Sequence, residues 1–79
     1  MYRYEVLKMG SQFRSLRPYG IICYEKQGKE WTAIAVAAPF SGDYLAVSKL
    51  AQKCTELQLS PEHLIDVVSD FLFQTTTST

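Results

Sequence analysis

His63 is the one imidazole of the 79-residue chain, and acidic side chains surround it in the sequence. Glu62 precedes it, Asp66 follows three residues on, and Asp70 follows seven residues on. On a helix these offsets place all four side chains over about a third of the circumference. Oxygen and imidazole donors so arranged could hold a divalent ion. The competing expectation is a solvated acidic face, where the like charges of Glu62, Asp66 and Asp70 repel only mildly. His63, Asp66 and Asp70 therefore form a candidate polar site, with no metal expected.

Nucleophilic catalysis needs a nucleophile, a base and a group that orients the base. Cys54 and His63 flank the same interhelical turn, but Cys54 falls on the apolar stripe of its helix. Cys23 and Cys54 lie in apolar surroundings and belong to no CxxC pair. A zinc site of Cys and His is short of a fourth ligand. Both cysteines read as small core hydrophobes in a reducing compartment. Gly10, Gly20, Gly28 and Gly42 are isolated, so no phosphate-cradling loop is present. The expectation is a chain with no catalytic residues and no cofactor.

Arg14, Arg17, Lys26 and Lys29 are predicted in loops, with Tyr19, Tyr24 and Trp31 close by. Exposed aromatics beside basic loops are a common way to hold single strands. Glu25 and Glu30 flank the same hairpin and offset its charge, so nucleic acid is the rival partner rather than the leading one.

Three strands and two helices must position these groups. Residues 2–9 alternate, with Tyr2, Tyr4 and Val6 on one face and Arg3 and Glu5 on the other. Residues 11–18 read as a loop or a poorly regular edge, with Phe13 and Leu16 as apolar anchors. Residues 19–25 form a second strand, where Gly20 marks a bulge or a close backbone approach. Lys26-Gln27-Gly28-Lys29 is the turn, read as a type I turn followed by a left-handed glycine. Residues 31–38 form the third strand, with Thr32, Ile34 and Val36 on one face. Trp31, Ala33, Ala35 and Ala37 share the other, small enough for a helix to pack close.

Ser41 or Asp43 can cap the first helix. Its apolar stripe recurs at positions 44, 47, 50, 51, 54 and 57. Ser60-Pro61-Glu62 predicts the second helix start, with Ser60 as the accepting cap and Pro61 at the first position. That helix is expected to bury Leu64, Ile65, Val68, Phe71 and Leu72 and to end near Phe73 or Gln74. Strands followed by helices give an α+β fold of order β-β-β-α-α, with both helices on one face of an antiparallel sheet. Strand orders 1-2-3 and 2-3-1 both remain open. A single domain spans 1–74, and 75–79 form a disordered tail.

Composition sets the outer bounds. Apolar residues make up 47% and charged residues 20%, which excludes general disorder. No apolar run approaches a membrane span, and no signal segment is expected from the opening residues. Eight basic and eight acidic residues cancel. Residues 1–40 hold six basic and three acidic residues, a balance of +3, and residues 41–79 hold two and five, a balance of −3. Ten aromatics are many for two thin layers, and Phe71, Leu72 and Phe73 in succession cannot all face one core. Phe71, Phe73, Trp31 and Tyr24 are the candidate interface residues.

The run Leu57-Gln58-Leu59-Ser60-Pro61-Glu62-His63-Leu64, continuing through Asp66-Val67-Val68 to Asp70-Phe71-Leu72, resembles a known signature. It is similar to the C-terminal pattern of short uncharacterised proteins from spore-forming Firmicutes. That pattern reads leucine-serine-proline-x-histidine-leucine, then aspartate-valine, then aspartate with phenylalanine or leucine. Tyr19-Gly20-Ile21 and Cys54 resemble the same proteins. The resemblance implies a cytoplasmic bacterial protein with a small α+β fold and draws attention to His63, Asp66 and Asp70. It brings no activity with it. The overall expectation is a cytoplasmic interaction module that forms a homodimer or binds another protein.

Overall fold

A computed structural model of the chain describes residues 1–8 and 17–77, with the backbone alone for 75–77. Arg14 and the expected anchors Phe13 and Leu16 lie outside the described residues. So do Ser78 and Thr79 of the expected tail.

The element order is β1 (Tyr2–Lys8), β2 (Tyr19–Gln27), β3 (Glu30–Ser41), α1 (Tyr44–Glu56), a 3-10 turn (Pro61–His63) and α2 (Leu64–Thr77). The sheet is antiparallel with order β1-β2-β3, which settles the open strand order. α2 runs to Thr77, past the expected end at Phe73 or Gln74. Gln27 pairs with Glu30, so Gly28 and Lys29 alone make the turn. Gly28 has φ 66 and is the only one of the two with positive φ. Glycine at the first central position is the type II′ arrangement, whose twist suits the strands it joins. The expected type I turn is therefore replaced by a tighter one.

Tyr4, Ile21, Cys23 and Ala37 on the sheet meet Val47, Ala51, Cys54, Leu64 and Val68 on the helices. These side chains form the core, so both helices cover one face. Phe40 closes one end of it, with its ring edge-on to Phe71 at 5.6 Å. Burial of these groups drives folding at about 25 cal/mol per Å² of apolar surface removed from water.

The sheet departs from simple alternation at two places. Cys23 pairs with Ala35 but Tyr24 pairs with Ala33, so Ile34 is an extra residue on β3. A bulge of this kind changes which face each side chain takes. Ala35 and Ala37 remain toward the helices, while Trp31 and Ala33 turn to the opposite face with Tyr24. The expected single face of Trp31, Ala33, Ala35 and Ala37 is thus split. The second shift lies between Tyr19 and Ile21. A Cβ on Gly20 would sit 2.3 Å from the Ala37 carbonyl oxygen, so only glycine lets β3 approach there.

Asp43 caps α1, its side chain accepting from Ala46 N at 3.1 Å. Ser41 Oγ accepts from Asp43 N at 3.1 Å and holds the cap in place. At the far end, Gln58 takes φ 49. Leu59 N donates to Cys54 O at 3.0 Å and Gln58 N to Thr55 O at 3.1 Å. These two bonds make a Schellman ending with glutamine in the place usually held by glycine.

α2 does not start as expected. Pro61–His63 forms one 3-10 turn, closed by His63 N donating to Ser60 O at 2.9 Å. The Ser60 hydroxyl caps no backbone N–H and lies 3.4 Å from Glu62 Oε1. Along α2, Ile65 is 61% exposed, contrary to the expectation that it is buried, while Val67 packs against the core.

Candidate functional site

Three places hold the residues with chemical or binding potential. The first is the start of α2. His63 Nε2 lies 3.7 Å from Glu62 Oε1, and Nδ1 lies 3.9 Å from Asp66 Oδ2. All three side chains are more than half exposed. These are weak, screened contacts. Asp70 does not join them and instead lines the cleft between the helices. Among the described residues no three His, Cys, Asp or Glu side chains are grouped to hold a metal ion.

Cys23 and Cys54 are free and buried. Burial pushes both thiols above the ordinary cysteine value, against a smaller opposing effect of Tyr4 on Cys23. A thiol kept protonated is a poor nucleophile. Cys54 faces the core while His63 faces water, so the conceivable thiol–imidazole pair is not assembled. Tyr4 is likewise buried. Its hydroxyl donates to Leu59 O at 2.6 Å, and burial followed by the neighbouring Cys23 raises its pKa well above the usual tyrosine range.

The second place is a cleft of roughly 260 Å³ between α1 and α2. Leu50, Leu57, Leu59, Val67 and Phe71 give it an apolar floor, with Lys53 and Asp70 at its rim. Leu57 is 68% exposed. Phe73, 67% exposed, lies on the last turns of α2 outside the cleft lining. Of the aromatic pair named from the sequence, Phe71 is half-buried against Phe40 and Phe73 is the more exposed.

The third place is the sheet face away from the helices. The Arg3 guanidinium carbon lies 4.6 Å from the Trp31 ring centroid and 5.4 Å from that of Tyr24. Arg3 Nε meets Glu5 Oε2 at 2.7 Å. Both aromatic residues named from the sequence thus share one face, joined by an arginine that the sequence reading assigned no role. The cue for Arg3 was its register opposite Tyr24, which strand alternation could have supplied. Lys26 and Lys29 stand at the exposed hairpin end beside this face, and Arg17 precedes β2 at the other end. Among the described residues, Arg17 is thus separated from Lys26 and Lys29. The rings already carry a cation, which leaves less of their faces for stacking bases.

Beside that face, the two sheet edges differ. Gln58 Oε1 accepts from Tyr2 N at 2.8 Å and Nε2 donates to Tyr2 O at 2.9 Å. Thr55 Oγ1 accepts from Tyr4 N at 2.8 Å and lies 3.3 Å from Tyr4 O. The β1 edge is therefore capped by side chains at Tyr2 and Tyr4, a feature that sequence periodicity did not reveal. No helix is long and apolar enough to cross a membrane among the described residues.

Comparison with curated proteins gives no match, and comparison with solved structures gives none. Residues 1–74 match a family of unknown function, DUF6514, and the chain belongs to that family.

Proposed function

We propose that this chain is a small protein-interaction module that self-associates. The carrying observation is exposed apolar surface on the two helices: Leu57, about two-thirds exposed at the α1–α2 cleft, and Phe73, equally exposed on the last turns of α2. A domain this small has few such groups to spare from its own core. Placing them outside favours a second protein surface over water. The formal charge of zero leaves little repulsion between copies.

The chemistry of the remaining groups supports the same reading. The thiols are turned inward and held protonated, and His63 meets its carboxylates only at salt-bridge range. The test is sedimentation of the purified chain over a wide concentration range. The mass is expected to rise to a whole multiple of 9.0 kDa. A monomer at every concentration contradicts self-association.

A further inference from the structure

Among the described residues β3 offers the open edge of the sheet, and we infer that it pairs antiparallel with β3 of a second copy, extending the sheet across a twofold axis. This inference rests on the self-association proposed above and adds to it a second contact surface, separate from the α1–α2 cleft.

Tyr2 and Tyr4 send their backbone groups away from β2, to Gln58 and Thr55. Alternation then sends the groups of Arg3, Glu5 and Leu7 to β2. The same alternation directs Ile21, Cys23, Glu25 and Gln27 toward β3, where their partners are Ala37, Ala35, Thr32 and Glu30. The backbone groups of Trp31, Ala33, Val36 and Ala38 are left facing outward. No side chain or backbone group of the described residues bonds to them.

β3 is twelve residues long, and no charge occurs between Trp31 and Ala38. A long, apolar, uncharged edge templates pairing, and folds that stay monomeric blunt such edges. This fold does so at Tyr2 and Tyr4 of β1, with two side chains, whereas on β3 only Pro39, beyond the uncharged run, interrupts the edge.

An edge of unpaired N–H and C=O groups requires a strand as its occupant. A second copy fits because antiparallel pairing is isologous and self-complementary. The uncharged run from Trp31 to Ala38 lets it meet itself with no like charges opposed. Side chains of Trp31, Ala33 and Val36 lie on the open face, so the pairing would continue that face from one copy into the next. The bulge at Ile34 interrupts the inner ladder and limits regular pairing to the stretch on either side of it.

The test is residue-resolved hydrogen exchange at a concentration where sedimentation shows a dimer, repeated on Val36→Lys. The outward amides of Trp31, Ala33, Val36 and Ala38 are expected to be protected in the dimer. Val36 is 52% exposed, so the substitution spares the core. It places a lysine on each side of the twofold and is expected to weaken dimerisation about tenfold or more. Amide protection of β1 and β2 reports that the variant is folded. A dimer whose outward β3 amides exchange freely overturns this inference and leaves the module reading intact. Protection supplied only by a different protein's strand overturns the second copy as occupant. A monomer at all concentrations overturns both.

Discussion

The side-chain amide of Gln58 meets the backbone of Tyr2 twice, accepting from its N–H at 2.8 Å and donating to its carbonyl at 2.9 Å. It imitates a neighbouring strand for one residue. The amide reaches β1 because Gln58 takes φ 49, a left-handed conformation that side chains other than glycine disfavour by roughly 1–2 kcal/mol. The helix ending and the sheet edge are therefore one device.

Gln58→Ala keeps the unfavourable φ and removes both bonds to Tyr2. The expected loss is about 1–2 kcal/mol, read from the urea midpoint. Gln58→Gly removes the same bonds but relieves the backbone, so it is expected to lose less than the alanine variant. Equal losses in the two variants would show that backbone conformation contributes nothing there.

Gly20→Ala forces a Cβ to within 2.3 Å of the Ala37 carbonyl oxygen. Backbone on both sides must shift, at an expected cost of about 1–3 kcal/mol. Gly28→Ala meets open space but keeps a positive φ, so strain alone applies. A urea series on the two variants is expected to rank Gly20→Ala as the more damaging.

Burial raises the pKa of Cys23 and Cys54 from 9.0 and of Tyr4 from 10.0. Above pH 9 the unfolded thiols lose protons that the folded ones keep, and above pH 10 Tyr4 follows. The unfolded state then binds fewer protons, so stability falls as pH rises, at up to about 1.4 kcal/mol per pH unit for each group. Below pH 9 this contribution is fully present. Urea midpoints measured from neutral to alkaline pH are expected to decline from about pH 9. Cys54→Ala is expected to lessen the early part of that decline.

Much of this arrangement was legible from residue order, and the exceptions have local causes. The strand and helix sequence, the Asp43 cap and the close approach at Gly20 follow from side-chain type and spacing. Trp31 was placed with the alanines because alternation assumes no extra residue, and Ile34 breaks that assumption. Its apolar, β-branched side chain gives no sign of a bulge. Ser60-Pro61-Glu62 marked the right turn, but the sequence does not distinguish an α start from one 3-10 turn. The closure of β1 by Thr55 and Gln58 joins residues more than fifty positions apart, beyond the reach of any periodicity.

Trp31 gives a local probe of the open face. Its ring lies 4.6 Å from the Arg3 guanidinium carbon. Arg3→Ala removes that cation and uncovers the ring, so the Trp31 emission is expected to shift to longer wavelength. The stability cost is expected to stay within about 1 kcal/mol, since the Arg3–Glu5 pair is partly exposed. An unchanged spectrum would contradict the stacking of Arg3 on Trp31.

The most direct measurement is the native mass of the untagged protein isolated gently from its own cells. The account predicts a whole-number multiple of 9.0 kDa, alone or with a second protein bound. A bare 9.0 kDa particle would contradict it.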